Sequence, residues 1–247
     1  MIPMTLRVAA RYFLPATFGR ALHRHVHLRR VLRGTHAEGD VALLASVVRP
    51  DDVCWDIGAN VGMYVVPLAR LSRTVVAFEP VAESRAILTE AIRRLRLTNV
   101  RVSADAVCDV VGLGRMHVPA HGFYGGYSFA ELSADGEESV ATTTIDALVA
   151  AGGPAPDFIK CDVEGAESRV IAGAAALIAR TRPTWLLETF EDRVLEEMLD
   201  LGYQGFLFDY RQGRMLETRR RETWCRNYWF VAPKRHSHWT QMRSLVA

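Results

Sequence analysis

The sequence is poor in the features that define several large classes of protein. Its four cysteines, Cys54, Cys108, Cys161 and Cys225, lie far apart with no C-x-x-C pair, so neither a zinc site nor a disulfide framework is indicated. We expect buried thiols in a reducing compartment. No apolar run reaches the roughly 18 residues of a membrane span, and the arginine-rich start lacks the apolar core of a signal peptide. These absences predict a soluble, cytoplasmic protein.

Net charge is also nearly absent. The formal charge of the 247 residues is +2, too close to neutral to indicate a nucleic-acid-binding protein. Basic residues are concentrated near the start of the chain, where they are Arg7, Arg11, Arg20, Arg24, Arg29, Arg30 and Arg33, with His23, His25 and His27 among them. Hydrophobic residues make up 49% of the chain, which is enough for one well-packed domain with a small appendage.

The most informative stretch runs from Val53 to Tyr64. A short apolar run typical of a strand carries Asp56 near its carboxyl end, and a turn of small residues containing Gly58, Asn60 and Gly62 follows. Glycine, and to a lesser degree asparagine, tolerates the positive φ that a sharp strand-to-helix turn demands. A helix that starts directly after the turn would direct its free N–H groups at an anion. The stretch therefore predicts a site for a ligand that carries a small anionic group.

A second strand leads to Glu79, about 20 residues past the turn, where a Rossmann-like site usually holds its ribose hydroxyls. The dinucleotide fingerprint G-x-G-x-x-G is missing, because Asn60 stands where its second glycine would admit a pyrophosphate. A smaller anion, the carboxylate of S-adenosylmethionine (SAM), fits this turn better, and Asp56 would accept from the cofactor's amine. The alternative interpretation makes Glu79 an exposed acid before a proline turn.

Hydrophobic periodicity predicts alternating strands and helices. We expect strands over 53–57, 74–78, 100–106, 158–161, 184–187, 205–208 and 228–231. We expect helices over 17–32, 40–48, 61–71, 82–97, 144–150, 167–179 and 192–201, with Thr17 and Asp40 as candidate N-caps. Such alternation implies a mostly parallel, doubly wound sheet with helices on both faces. The last two strands have no crossover helix between them, so the final strand is expected to be antiparallel.

The chain contains three motifs in succession: Asp56-Ile-Gly-Ala-Asn-Val-Gly62, Phe78-Glu-Pro80 and Ile159-Lys-Cys-Asp-Val-Glu-Gly-Ala-Glu167. They are followed by Arg182-Pro183, Glu188 and Asn227-Tyr-Trp-Phe-Val231. In this order the segments resemble the motifs of the FkbM family of SAM-dependent methyltransferases. The resemblance implies the class I methyltransferase fold, an α/β fold with a seven-stranded sheet, and usually methylation of a hydroxyl on a sugar or secondary metabolite. We expect a helical extension over 1–38, the methyltransferase domain over 39–235 and a tail over 236–247.

The expected cofactor is SAM, and the expected acceptor is a small molecule or glycan rather than a nucleic acid. The candidate cofactor residues are Asp56, Gly58, Asn60, Gly62, Glu79, Asp105 and Ala106. Asp105 and Ala106 would hold the adenine from the end of the third strand, although Asp109 competes for the carboxylate role. Asp162 follows the fourth strand at the edge where open α/β sheets bind ligands. We expect Asp162 to position the reactants and Glu164 or His121 to take the acceptor's proton.

Several alternatives remain open at the level of the sequence. The glycine-rich stretch 107–140, with His117, His121, Tyr124, Tyr127 and Ser128, is either an acceptor-side loop or only a mobile connection. Lys160, one of two lysines, is expected to be structural. No metal is expected, although Asp162 and Glu188 could hold magnesium. Other possible functions are an NAD- or nucleotide-sugar-dependent oxidoreductase and a non-catalytic SAM-binding protein; the N/D-P-P-Y/F run usual in base methylation is missing.

Overall fold

A computed structural model of the chain describes residues 16–34, 39–118 and 131–232, and within the first helix the side chains of 16–21 and 23 are not described. The helices are α1 (Ala16–Arg33), α2 (Gly39–Val47), α3 (Val65–Leu71), α4 (Ala82–Leu95), α5 (Ile145–Ala150), α6 (Glu167–Ala172), α7 (Ala175–Thr181) and α8 (Asp192–Asp200). The strands are β1 (Val53–Ile57), β2 (Thr74–Phe78), β3 (Val100–Ser103), β4 (Ala106–Val107), β5 (Gly112–His117), β6 (Glu131–Leu132), β7 (Glu138–Thr143), β8 (Phe158–Cys161), β9 (Thr184–Glu188), β10 (Gln204–Asp209), β11 (Arg214–Thr218) and β12 (Asn227–Val231).

The main sheet has eight strands in the order β11-β10-β12-β9-β8-β1-β2-β3. The neighbouring pairs β3-β2, β2-β1, β1-β8 and β8-β9 are parallel. β12 runs antiparallel to both β9 and β10. The predicted α/β fold and the antiparallel final strand are therefore confirmed. The expected seven strands become eight because β11, which the sequence analysis left unassigned, pairs antiparallel with β10.

Both faces of the sheet are covered by helices, which explains why the central strands are apolar throughout. Every residue of β1 and β8 is buried. One face packs mainly against α5 to α8, and the other packs against α2, α3 and α4. α1 lies outside this second layer, where Leu28 and Val31 pack against Ile87 and Ala91 of α4. All four cysteines are free and buried, as predicted.

The glycine-rich stretch does not form a plain loop. It contributes to a second sheet with the order β4-β7-β5-β6, whereas residues 119–130, including His121, lie outside the described residues. The predicted strand over 100–106 was wrong in its second half, because β3 ends at Ser103 and Ala106 belongs to β4 of the second sheet. Asp105 therefore lies in the connection between the two sheets.

Two predicted helices change for identifiable reasons. The helix expected over 167–179 divides into α6 and α7 around Gly173, which packs so closely that a Cβ there would meet the carbonyl oxygen of Cys108 at 2.1 Å. Asp40 lies in the first turn of α2 instead of serving as its N-cap. Its buried carboxylate accepts from Trp229 Nε1 at 2.8 Å and from the Tyr210 hydroxyl at 2.5 Å. Among the described residues, no helix is both long and apolar enough to span a bilayer.

Candidate active site

The turn after β1 adopts the backbone conformation that its small residues predict. Gly58, Asn60 and Gly62 have φ values of 81°, 49° and 99°. Gly58 also has no room for a side chain, because a Cβ there would lie 1.8 Å from the carbonyl oxygen of Asp162. This close approach brings the turn after β1 against the residue that follows β8.

The turn does not offer its amides to an anion as we expected. The N–H groups of Gly58 and Ala59 both donate to the carbonyl of Phe78 at 3.0 Å. Asn60 N donates to Glu79 Oε2 at 2.7 Å, and Gly62 N donates to the carbonyl of Ala59 at 2.9 Å. The helix predicted to start at residue 61 begins only with α3 at Val65. The protein therefore uses these four amides to hold the turn itself.

Glu79 is buried, so the interpretation of this residue as an exposed acid was wrong. Its side chain is 5% exposed, and Oε1 accepts from Val81 N at 2.8 Å while Oε2 accepts from Asn60 N. Burial raises the pKa of Glu79 to about 7, against the two backbone hydrogen bonds that lower it. A carboxylate oxygen has more than one lone pair, so both oxygens can still accept from a ligand hydroxyl.

Asp56 is also buried, at 2% exposure. Burial raises its pKa to about 7, with Lys160 opposing that rise and Asp162 and Glu79 adding to it. Its Oδ2 has no hydrogen-bond partner among the described residues. A buried, unsatisfied carboxylate oxygen is costly, and an ammonium group bound at this position would satisfy it.

A pocket of about 590 Å³, counted to its open mouth, lies at the carboxyl ends of β1, β2 and β8. Its lining includes seven of the predicted site residues: Gly58, Asn60, Glu79, Asp105, Ala106, Asp162 and Glu164. Asp56 and Gly62 are not part of the lining, and His121 lies outside the described residues. The remaining lining residues are mostly apolar, among them Phe78, Val81 and Val107.

The second sheet supplies one side of the pocket that the sequence analysis missed. Met116 of β5 and Leu132 of β6 both line it. Asp105 accepts from Ser103 Oγ at 2.6 Å, which fixes its carboxylate at the pocket. Asp109 is held elsewhere, since Arg169 Nη2 lies 2.7 Å from its Oδ1. Of the two candidate carboxylates, Asp105 is therefore the one that faces this pocket.

Lys160 is part of the site's electrostatics, although the sequence suggested only a structural role. It is paired in register with Asp56 across β1 and β8, and its side chain is 1% exposed. Its Nζ lies 3.7 Å from Asp162 Oδ2, 3.9 Å from Glu188 Oε2 and 5.0 Å from the ring centre of Tyr64. A protein cation thus lies between the two carboxylates that we had considered as magnesium ligands.

No group of three His, Cys, Asp or Glu side chains in the described part of the chain is arranged to hold a metal ion. His117, one of the residues expected on the acceptor side, is hydrogen-bonded through Nδ1 to Glu137 Oε2 at 2.9 Å on the exposed surface of the second sheet. It is not part of the pocket lining.

Glu164 is a further carboxylate at the pocket whose pKa lies near neutrality. It is half-buried with a φ of 51°, and burial, then Asp162 and Glu167, raise its pKa to about 7. Arg226 and Lys160 oppose the rise. Glu167 holds the turn, because its Oε1 accepts from Val163 N at 3.2 Å and Gly165 N at 3.1 Å.

Comparison with known proteins agrees with this geometry. The family model of the methyltransferase FkbM domain matches residues 56–205. Over 146 residues the chain is 30% identical to the hexuronic acid methyltransferase AglP of Haloferax volcanii, covering 58% of each protein. Over 160 residues it is 34% identical to the 31-O-demethyl-FK506 methyltransferase FkbM of Streptomyces tacrolimicus, covering 51% of this chain and 60% of that protein.

The fold also matches a solved structure, the methyltransferase FkbM from Methylobacillus flagellatus KT. The TM-score is 0.51 at 15% identity, over 86% of this chain and 59% of that one. The chain thus spans about three fifths of the length of the relatives it matches. The family model covers more than half of the chain, including the turn after β1, Glu79 and Asp162. This chain belongs to the FkbM family of methyltransferases.

Proposed function

We propose that this protein is a SAM-dependent O-methyltransferase whose acceptor is a hydroxyl of a sugar or another small molecule. The observation that carries the proposal is the pocket itself, which joins Glu79 after β2, on the side suited to a ribose, to Asp162 and Glu164 after β8. The names of two relatives support it, since one is a hexuronic acid methyltransferase and the other acts on 31-O-demethyl-FK506.

The residues that line the pocket, together with Asp56 beside it, fit the chemistry of SAM. Asp56 Oδ2, buried without a hydrogen-bond partner in the described structure, suits the cofactor's ammonium group. Glu79 would accept from the ribose hydroxyls and Asp105 from the adenine amine, and Met116 and Leu132 would offer apolar surface to the adenine ring. When bound, SAM supplies an electrophilic methyl group on a positively charged sulfur.

The chain's own residues would do the remaining work. A neutral hydroxyl must lose its proton as it becomes the nucleophile, and a base with a pKa near the working pH removes it most efficiently. Glu164, with a pKa of about 7, would take that proton. Asp162 would orient the acceptor, and Lys160 would hold Asp162 and Glu188 in place. Positioning of this kind supplies a large part of the rate in a bimolecular displacement.

Calorimetry with SAM, its demethylated product S-adenosylhomocysteine (SAH) and NAD tests the cofactor assignment. We expect micromolar affinity for the first two, roughly −8 kcal/mol, and tighter binding of SAM than of NAD. The chemistry is tested by transfer of a labelled methyl group from SAM to a panel of methyl glycosides. Asp162→Asn keeps the shape of the side chain and should lower turnover by about 10²–10⁴. Tighter binding of NAD, or full turnover in Asp162→Asn, would contradict the proposal.

A further inference from the structure

A second cleft lies beside the cofactor pocket, at the carboxyl end of β9 and the start of β12. It measures about 720 Å³, counted to its open mouth. Its lining combines aromatic rings with charged and amide side chains: Asp40, Glu188, Tyr210, Trp224, Arg226 and Asn227.

Charged side chains connect the cleft to the candidate active site. Glu188 lines the cleft and lies 3.9 Å from Lys160 Nζ, which in turn lies 3.7 Å from Asp162 in the cofactor pocket. Arg226 also lines the cleft, and its charge lowers the pKa of Glu164 on the other side. The cleft is therefore linked through Lys160 and Arg226 to Asp162 and Glu164, the two groups that we assign to the chemistry.

Two aromatic rings are exposed at the cleft, in contrast to the tryptophans of the core. Trp224 and Tyr210 are each 53% exposed, whereas Trp55, Trp185 and Trp229 are at most 1% exposed. Exposed aromatic surface next to polar groups is typical of a binding site. The face of such a ring suits the C–H face of a sugar, whose hydroxyls point sideways toward hydrogen-bonding groups.

The Tyr210 side of the cleft is fixed before any ligand binds. The Tyr210 hydroxyl donates to Asp40 at 2.5 Å, and its ring meets the edge of Phe208 with centres 4.9 Å apart. Gly39 lets the ring lie against the start of α2, since a Cβ there would fall 1.8 Å from it. A preformed wall reduces the ordering that binding requires.

We propose that this cleft holds a sugar ring of the methyl acceptor, with Trp224 as the stacking surface. Glu188 and Asn227 accept from the ring hydroxyls, and Arg226 donates to ring oxygens. The proposal rests on the function proposed above and deepens it, because it names a pyranose as the acceptor class and moves acceptor recognition away from the stretch 107–140.

Saturation-transfer NMR on the full chain, with SAH in excess, tests whether the cleft binds a pyranoside without requiring turnover. The probe is a mixture of the methyl pyranosides of glucose, galactose, mannose and rhamnose, with the open-chain polyol mannitol as the reference. We expect transfer to the ring protons of at least one pyranoside and a loss of that signal to the mannitol level in Trp224→Ala. Trp224→Phe, which retains an aromatic ring, should keep part of the transfer signal. Leu113→Ala, which removes an 81% exposed side chain on β5, should leave it unchanged.

Calorimetric binding of SAH, measured for each variant, separates this proposal from the function on which it rests. Unchanged SAH affinity with loss of pyranoside binding in Trp224→Ala supports the cleft assignment. Pyranoside binding that persists in Trp224→Ala overturns the cleft, and SAH binding with no pyranoside binding in the wild type overturns the sugar class. A wild-type protein that does not bind SAH overturns the cofactor assignment, and this proposal with it.

Discussion

Replacing Lys160 by methionine tests whether the buried ammonium holds the carboxylates of the site together. Its Nζ lies 3.7 Å from Asp162 and 3.9 Å from Glu188, and its charge also opposes the raised pKa of Asp56. Methionine has a similar unbranched shape, so the change removes the charge and leaves most of the packing. The stability lost then reports the electrostatic role of the residue.

The size of the effect follows from distance and exposure. Two unit charges about 4 Å apart interact by about 4 kcal/mol at an effective dielectric constant near 20. Removing one partner of a buried pair typically costs about 3–5 kcal/mol. The side chains of Asp162 and Glu188 are 32% and 17% exposed, so water would screen part of the loss. We expect the free energy of unfolding at pH 8 to fall by about 2–4 kcal/mol, or roughly 5–15 °C in Tm.

The loss should depend on pH. Burial raises the folded-state pKa of Asp56 from 3.8 to about 7, so the folded protein binds this proton more readily than the unfolded chain does. The resulting stability is fully present below pH 3.8 and disappears as the pH rises through about 7. Removing Lys160 raises that pKa further, so stability should fall more steeply with pH in the variant. The difference from wild type should therefore be larger at pH 8 than at pH 5.

Thermal unfolding of both proteins from pH 5 to pH 8 measures this difference. Arg220→Met is the matched control, because Arg220 is 87% exposed and pairs with Glu222 at 3.4 Å on the surface, where such pairs contribute little. Adding Asp56→Asn to Lys160→Met should restore part of the stability at pH 8, since it removes the carboxylate left without its cation. Equal losses at pH 5 and pH 8, or none at either, would refute the electrostatic role.

Three further predictions concern the site. Glu79→Gln should weaken SAH binding by about 1.5–3 kcal/mol in calorimetry, the range for a hydrogen bond to a charged group; unchanged affinity would contradict its ribose role. Glu164→Gln should lower methyl transfer by about 10²–10⁴ and remove the rise in rate through the pKa of about 7; a retained rise would assign the proton to another base. Gly58→Ala should destabilise the protein by more than about 3 kcal/mol in denaturant unfolding, because its Cβ collides with the Asp162 carbonyl. Gly152→Ala has a φ of 89° but open space around it, and it should cost only about 1–2 kcal/mol; equal losses would mean that the collision does not matter.

The main sheet could be predicted because its signal is local. The bounds of β1, β2 and β8 match the predicted strands residue for residue, since each is a short apolar run between turn residues. The second sheet could not be predicted in this way. β5 is largely exposed, so it shows no apolar run, and its glycines resemble those of a loop. Gly136, between β6 and β7, has no room for a side chain, because a Cβ would meet the backbone of Met116 at 2.4 Å.

The candidate site was predictable only as far as its turn residues and strand ends. Asp162 and Glu79 follow strands, and the carboxyl ends of parallel strands meet at one edge of a sheet. The position of Lys160 between Asp162 and Glu188 depends on the register of β8 against β9, which no local pattern specifies. Met116 and Leu132 reach the pocket from the second sheet. Because that sheet could not be predicted from the sequence, neither could their contribution to the pocket.

The charge distribution of the site favours a cationic ligand. Six acidic side chains surround the pocket and its border with the second cleft: Asp56, Glu79, Asp105, Asp162, Glu164 and Glu188. Lys160 and Arg226 offset part of this charge, and burial already forces several of the acids toward their neutral forms. SAM, with its sulfonium and ammonium groups, would stabilise their ionised forms, whereas the two negative phosphates of NAD would repel them. The same argument explains why the amides of the turn after β1 can donate to the Phe78 carbonyl and the Glu79 carboxylate. A cationic cofactor that is held by carboxylates does not need these amides.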